Sequence, residues 1–372
     1  KVVLAFDSFK DTLSATDLCT IASEKLHSLD PGLDVVCVPL SDGGEGFLNT
    51  VEKSSSIVGA NSFTRKQLTV VGPLGEPHVA EYGILHRPEG DLGVAEMARA
   101  SGLEFVEPAR RDPYCTTSHG TGQVLKHLFQ VEGVSEVLFG VGGTSTVDCG
   151  LGILYGLDCF NWEFEGPAPE YFTGADLKRL RRIEERDSFM DNKKITIACD
   201  INNLLLGPRG AAYAYGPQKG IKPHQLEEYE ADMFKAAQVL VQFKGRSEIF
   251  TMKHGGAAGG TAAGLHAVFD SVSIVSGIDL IINLTGLAAL VSEGALLITG
   301  EGSYDVQSNE GKVVGKLKEL TSNIIVICGQ NKTAETEGVY DLVSRFGLEK
   351  SMRDTKECFG CVVEEVWGAL RR

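Results

Sequence analysis

Short apolar runs alternate with amphipathic segments at the start of the chain. Val2–Phe6 is an apolar run, and apolar residues then recur at helical spacing between Ser14 and Pro31. Asp17 follows Ser14 at the spacing of a capping box, which indicates a helix N-terminus. A second apolar run covers residues 35–39. The order strand, helix, strand predicts a βαβ unit and therefore a parallel sheet.

The pattern changes near Thr64. Two alternating runs, 67–71 and 78–85, flank the turn GPLG at 72–75 and predict a β-hairpin in a mixed sheet. The charged segment 176–194 is interpreted as a solvated helix and loop. The other predicted elements are a helix at 123–129, strands at 137–141, 195–199, 295–299 and 324–328, and a final helix through Trp367.

Chain length favours two domains. Single hydrophobic cores stop growing near roughly 250 to 300 residues, whereas this chain has 372 residues, of which 43% are hydrophobic. We predict an α/β protein in which residues 1–63 plus 286–372 form a parallel-sheet lobe and residues 64–285 form a second α/β lobe. A ligand cleft is expected between the two lobes.

The charge balance limits the partners. The chain has 35 basic and 50 acidic residues, a net charge of −15 at pH 7, so nucleic acid and membrane surfaces are not expected partners. No apolar run approaches the ~18 residues of a membrane-spanning helix. The nine cysteines are scattered, which favours buried thiols and a cytoplasmic location, with an organelle address left open. The sequence does not indicate the oligomeric state.

Glycine clusters follow several predicted strands. They occur at 42–46 (DGGEG), 140–145 (GVGGTS), 255–260 (GGAAGG) and 300–302 (GEG). Glycine lets backbone amides approach an anion, and open α/β sheets bind ligands at the carboxyl ends of their strands. Together the clusters indicate phosphate binding, although each one alone is equally consistent with a tight strand-to-helix turn.

Two common nucleotide fingerprints are absent from the sequence. A Walker A loop would need a glycine at Val306 and Ser or Thr at Val313 around the Gly311-Lys312 pair. A dinucleotide-binding loop would need a glycine at Ser145. P-loop and dehydrogenase chemistry are therefore not expected.

Charged residues accompany the glycine clusters. Phosphoryl transfer needs oxygen ligands for magnesium, cations near the moving phosphoryl group and a positioned hydroxyl acceptor. An isolated aspartate after a strand is also a common turn or N-cap residue. The candidate carboxylates are Asp7, Asp42, Glu45, Asp148, Asp200, Glu301 and Asp305, and the candidate cations are Lys10, Lys219 and Lys312.

Eight motifs, taken in order, resemble those of the type I glycerate kinases over nearly the whole chain. They are 6–10 (FDSFK), 13–15 (LSA), 41–46 (SDGGEG), 72–75 (GPLG), 116–122 (TTSHGTG), 215–220 (YGPQKG), 256–260 (GAAGG) and 298–313 (ITGEGSYDVQSNEGKV). The resemblance implies a Rossmann-like lobe, a smaller mixed α/β lobe and an active site between them. It also implies phosphorylation of D-glycerate with ATP and Mg²⁺, usually to 2-phosphoglycerate.

The resemblance leads to a hypothesis for the site. Asp200 and Asp305 are candidates for Mg²⁺ or the acceptor hydroxyl, while Lys10, Lys219 and Lys312 would neutralise phosphate and carboxylate. The expected substrate- or nucleotide-binding residues are Asp7, Ser8, Asp42, Gly43, Gly44, Glu45, Thr116, Ser118, Gly142, Gly143, Thr144, Ser145, Gly256, Gly259, Glu301, Gln307 and Ser308.

Four positions depart from the family pattern. Val147 stands where asparagine is expected, Ser303 where arginine is common, and Leu204 and Val314 where proline is common. These departures keep two alternatives open: a kinase for another small hydroxy acid, and a carboxylate-binding protein with impaired catalysis. The choice between the 2- and 3-hydroxyl as acceptor is also open.

Overall fold

Parallel strands and helices alternate in the computed structural model, which describes residues 1–9, 12–57, 61–292, 294–305 and 313–371. The chain divides into two compact units. The first unit contains Lys1–Asp42, Asn49–Gly59 and Gly277–Arg372, and the second contains Gly43–Leu48 and Ala60–Ser276. The domain boundaries expected from the sequence stay a prediction, because compactness alone does not show that a unit folds independently.

The secondary structure covers most of the described chain. The strands are β1 (Val2–Phe6), β2 (Val35–Cys37), β3 (Ser62–Val71), β4 (Pro77–His86), β5 (Leu92–Glu96), β6 (Glu136–Gly140), β7 (Phe160–Phe164), β8 (Leu180–Glu185), β9 (Lys194–Ala198), β10 (Val272–Val275), β11 (Leu296–Gly300), β12 (Ser303–Tyr304), β13 (Ile324–Cys328), β14 (Gln330–Asn331) and β15 (Val339–Asp341). The α-helices are α1 (Ala15–Leu29), α2 (Phe47–Ser55), α3 (Met97–Ser101), α4 (His119–Gln130), α5 (Leu151–Leu157), α6 (Ala211–Tyr215), α7 (Leu226–Lys244), α8 (Ala257–Val268), α9 (Gly277–Thr285), α10 (Leu287–Ser292), α11 (Val313–Leu320), α12 (Leu342–Phe346), α13 (Leu348–Arg353) and α14 (Thr355–Leu370).

A parallel sheet forms the centre of the first unit. Its strand order is β15-β13-β11-β1-β2, and these strands pair in parallel. All five residues of β1 are buried, as is typical of parallel strands covered on both faces. Helices α1 and α14 pack against each other, and the rings of Phe6 and Phe359 meet edge to face with 5.2 Å between centroids. The predicted parallel sheet is confirmed.

A mixed sheet forms the centre of the second unit. Its strand order is β10-β9-β6-β5-β4-β3. The pairs β10–β9, β9–β6 and β6–β5 are parallel, whereas β5–β4 and β4–β3 are antiparallel. The predicted hairpin is confirmed: its turn is closed by Gly72 N, which donates to Glu76 O at 2.6 Å, and Gly75 has a φ of +88°.

Two sequence-based expectations are corrected. The mixed unit, which the resemblance implied to be the smaller lobe, contains the larger part of the chain. The charged segment interpreted as a solvated helix and loop instead contains strand β8, which pairs antiparallel with β7. Leu180 and Ile183 are buried on this strand, and they anchor it despite its many charges.

Parallel pairing brings the carboxyl ends of three strands to one edge of the second unit. Glu96 pairs in register with Gly140, and Gly140 pairs with Ala198. The segments that follow β5, β6 and β9 therefore start side by side, as do the ligand-binding segments of other open α/β sheets. Across the described ranges, no helix has the length and apolar character of a membrane span.

Candidate functional site

Residues 43–46 (GGEG), here called the glycine turn, lie against the strand ends of the second unit. Gly43 has a φ of +87°, and a Cβ atom on it would lie 2.1 Å from the carbonyl oxygen of Ala198. Gly142 N donates to Gly43 O at 3.1 Å, and a Cβ atom on Gly142 would lie 2.4 Å from Gly44 Cα. Side chains are therefore excluded at Gly43 and Gly142. The structure thus brings together three glycines that the sequence assigned to binding.

A buried carboxylate reaches the glycine turn from the end of β5. Glu96 Oε1 accepts from Gly46 N at 2.9 Å, and Oε2 accepts from Leu48 N at 2.8 Å. Burial raises the pKa of Glu96, against the opposing effects of Arg99 and the two amides. Sequence reasoning missed this residue. Its only signal was a single acidic residue inside the apolar run 92–98.

Buried hydroxyl groups hold the segment after β6, residues 144–150, here called the 144–150 loop. Thr116 Oγ1 donates to Ser145 O at 3.0 Å, and Ser145 Oγ donates to Ser101 O at 3.0 Å. Thr144 Oγ1 accepts from Thr146 N at 3.2 Å. Thr116, Thr144 and Ser145 thus make internal contacts that fix the loop, and their assignment to ligand binding stays a prediction.

Asp148 is the centre of this loop's polar network. Its side chain is fully buried and accepts from Ser118 Oγ at 2.8 Å, Gly150 N at 3.0 Å and Gly152 N at 3.1 Å. Burial raises the pKa of Asp148, while these donors and Lys219 act in the opposite direction. Ser118, a predicted binding residue, is therefore engaged with a buried carboxylate.

Lys219 lies beneath the same loop. It is only 6% exposed, and its Nζ donates to Thr146 O at 2.7 Å. Burial lowers the pKa of Lys219 to about 7, although the charge of Asp148 opposes the shift. The described contact of this lysine is thus a backbone carbonyl of the 144–150 loop. Its predicted role in neutralising phosphate or carboxylate is not tested by that contact.

The predicted phosphate loop at 255–260 packs on the 144–150 loop. Gly259 O accepts from Cys149 N at 3.0 Å, and a Cβ atom on Gly259 would lie 2.3 Å from Thr146 O. Gly256 N donates to Asn203 O at 2.9 Å. The chain turns sharply here, since Ala258, Gly259 and Gly260 all have positive φ values within the span assigned to α8. The predicted loop at 255–260 thus packs on the residues that directly follow the glycine cluster at 140–145.

In the first unit, two predicted site residues follow neighbouring strands. Asp7 comes after β1 and Glu301 after β11, and Phe6 pairs in register with Gly300. Asp7 N donates to Gly300 O at 3.0 Å, and its Oδ1 accepts from Ser8 N at 2.8 Å. Asp305 is half-buried just after β12. The carboxyl edge of the five-stranded sheet therefore carries two of the candidate carboxylates, Asp7 and Glu301, whereas Asp305 follows a strand of the separate β12–β14 pair.

The metal assignment is not tested by the described geometry. Asp200 is a half-buried carboxylate just after β9 in the second unit, while Asp305 belongs to the first unit. Among the residues that the structure describes, no three His, Cys, Asp or Glu side chains are grouped for metal binding. Lys10, Gln307, Ser308 and Lys312 lie outside the described residues.

The departure at Val147 has a clear structural setting. Its side chain is fully buried in the apolar core of the second unit. Its carbonyl oxygen accepts from Tyr229 Oη at 2.8 Å. Valine at this position therefore contributes packing within the 144–150 loop.

Comparisons with known proteins agree on one family. The family model described as "Glycerate kinase family" matches residues 2–366. A glycerate kinase of Halalkalibacterium halodurans is 35% identical over 88% of this chain and 85% of its own length. The glycerate 2-kinase of Escherichia coli K12 is 34% identical over 84% of this chain and 80% of its own length. A solved structure of a candidate glycerate kinase 2 from Salmonella typhimurium LT2 matches with a TM-score of 0.79 and 30% identity, covering 100% of this chain and 98% of that one.

Proposed function

The chain belongs to the glycerate kinase family, and we propose that it transfers the terminal phosphoryl group of ATP to the 2-hydroxyl group of D-glycerate. The relatives' names support glycerate as the acceptor, and the name of the Escherichia coli relative, glycerate 2-kinase, supports the 2-position. Transfer to the 3-hydroxyl, which would give 3-phosphoglycerate, is the alternative product.

The meeting of Gly43, Gly44 and Gly142 at the strand ends is the observation that carries the proposal. Glycine at Gly43 and Gly142 lets the turn pack directly against the ends of β6 and β9, and the carboxyl ends of parallel strands are where open α/β sheets bind ligands. The hydrogen bonds around Asp148 fix the adjoining 144–150 loop through groups of the protein itself. Such preorganisation matters because phosphoryl transfer depends almost entirely on positioning and electrostatics.

The carboxylates and lysines take complementary roles in the proposal. Asp200 and Asp305 orient the acceptor hydroxyl or hold Mg²⁺, with Asp42 and Glu45 supporting them. Carboxylates of this kind fit Mg²⁺, which binds one or two carboxylates together with substrate phosphates. When bound, Mg²⁺ neutralises charge on the phosphate oxygens. Lys10, Lys219 and Lys312 supply positive charge to the phosphate and the glycerate carboxylate.

A coupled assay of ADP formation tests the reaction. ATP consumption should depend on D-glycerate and exceed that with other short hydroxy acids. Phosphorus NMR of the product identifies the acceptor, since phosphate on C2 couples to one proton and phosphate on C3 couples to two. Turnover with another acid alone would assign a different kinase, and ligand binding without turnover would indicate the impaired binding protein.

A substitution tests the role of Asp200. Asp200→Asn should lower kcat by about 100-fold or more, because it removes an ionised oxygen ligand or base from the transition state. Asp191→Asn is the matched control, since Asp191 is an exposed aspartate of the same unit. Equal turnover of the two folded variants would remove Asp200 from the proposed machinery.

A further inference from the structure

Glu96 binds the glycine turn through one carboxylate oxygen and the first turn of α2 through the other. The two amides that it binds, Gly46 N and Leu48 N, lie on either side of Phe47, where α2 begins. The glycine turn and the start of α2 each make one further contact at the end of β6. Gly43 O accepts from Gly142 N at 3.1 Å, and the ring of Phe47 fills the space where a Cβ atom on Gly140 would lie.

This form of anchoring differs from ordinary helix capping. A local serine or threonine usually binds one amide of the first helical turn through its own neutral side chain. Glu96 comes from about fifty positions further along the chain, and its side chain is 0% exposed, with Arg99 Nε 3.7 Å away. A buried carboxylate needs partners to offset the loss of hydration. Because its oxygens bind the amides from a separate strand, no side chain of the turn is required for capping.

We propose that Glu96 is a positioning residue that holds the glycine turn, and through the Gly142–Gly43 bond the segment that leads from β6 into the 144–150 loop, in the geometry needed to bind an anionic ligand. The inference rests on the proposed function, because it takes these glycines as part of the ligand site. Glu96 itself contacts no ligand in this account. It acts through the position of the backbone that it binds.

Glu96→Gln is the informative variant. Glutamine keeps the size of the side chain but has one acceptor oxygen, so its amide group would face an amide donor at Gly46 or Leu48. Asp176→Asn is the matched control. Asp176 is 3% exposed, accepts from Thr173 N at 2.9 Å and Thr173 Oγ1 at 3.0 Å, and pairs with Arg179 at 2.7 Å. Each variant therefore replaces a buried carboxylate by an amide. In both cases that carboxylate binds backbone amides at the start of a helix and lies beside an arginine.

The expected results distinguish an effect on the position of the glycine turn from an effect on the stability of the protein. Glu96→Gln should lower kcat/KM for D-glycerate by about tenfold or more, since small misplacements in a site have effects of this size. Its unfolding temperature should shift no more than that of Asp176→Asn, whose kcat/KM should stay within about twofold of wild type. Hydrogen exchange of peptides covering 43–55 should accelerate in Glu96→Gln and stay unchanged in Asp176→Asn.

The outcomes against the proposal are distinct. Unchanged kcat/KM in folded Glu96→Gln, or unchanged exchange at 43–55, would overturn it. Failure of Glu96→Gln to fold while Asp176→Asn folds would also overturn it, because the carboxylate would then serve the fold as a whole. If wild type shows no glycerate-dependent turnover, the proposed function fails. Exchange alone then decides whether Glu96 holds the turn.

Discussion

Burial sets the protonation of Lys219. Its pKa falls from the ordinary 10.5 to about 7 because the amino group is removed from water. Between these two pH values, Lys219 binds a proton in the unfolded chain more often than in the folded protein. The contribution of Lys219 to stability is therefore fully present above about 10.5 and is lost as the pH falls through about 7.

Lys219→Met removes this titration while keeping a long side chain. From pH about 7 to about 10.5, the free energy of unfolding of wild type should increase relative to that of Lys219→Met, because only wild type carries the shifted group. Urea unfolding at several pH values measures the difference. Lys253→Met, at an exposed lysine of the same unit, is the control for replacing a lysine with methionine. A difference between wild type and Lys219→Met that does not change with pH would contradict the pKa assigned to Lys219.

The glycines of the candidate site could be predicted from the sequence, whereas the residue that holds them in place could not. Gly43 and Gly142 stand in recognisable glycine clusters, and the structure brings them together. Glu96 could not be found in the same way, since its bonds to Gly46 and Leu48 join residues far apart in sequence. A local sequence pattern shows where the backbone can adopt unusual conformations. It does not show which distant carboxylate will accept a hydrogen bond from a backbone amide there.

The N-terminus of α1 is fixed by its capping box. Ser14 Oγ accepts from Asp17 N at 3.1 Å, and Asp17 Oδ2 accepts from Ser14 N at 3.2 Å. Ser14→Ala should destabilise the protein by about 1 kcal/mol because one helix amide loses its acceptor. Urea or thermal unfolding measures the loss.

Thr20→Ala is the control for that cap. Thr20 lies on the exposed side of the same helix, and its Oγ1 donates to Thr16 O at 2.8 Å. Alanine has the higher helix propensity, so this variant should be neutral or slightly stabilising. A loss for Thr20→Ala as large as that for Ser14→Ala would show that the measured effect is not due to capping.

Element prediction worked best where the period of the pattern was regular. Strand β1 and helix α1 have clear apolar patterns, and both were predicted. Strand β8 was missed because its buried residues, Leu180 and Ile183, are three positions apart. Its pairing with β7 contains a register shift at Glu163/Phe164, and such an irregularity breaks the alternation by which a strand is recognised.

The composition of the two units depends on contacts that no local pattern contains. Gly43–Leu48 belongs to the second unit although the chain on either side belongs to the first. A change in the pattern of hydrophobic and polar residues marks where a different sheet begins, as it did near Thr64. It does not reveal a six-residue segment whose partners, Glu96 and Gly142, lie much later in the chain.

The buried cysteines provide a test of whether the compact units are cooperative domains. Three buried thiols lie in each unit, Cys19, Cys328 and Cys358 in the first and Cys149, Cys159 and Cys199 in the second. A buried thiol reacts with a maleimide only when its surroundings open. If each unit unfolds cooperatively, its three thiols should share one urea midpoint, and the two sets should have different midpoints.

Brief labelling with N-ethylmaleimide across a urea series, followed by peptide mass spectrometry, gives a midpoint for each cysteine. Cys115 and Cys361 are exposed and should react at every urea concentration, which controls for the reagent. A single midpoint for all six buried thiols would show one cooperative protein. Different midpoints within one set would show that the unit is compact without being a domain, because its parts would lose their packing separately.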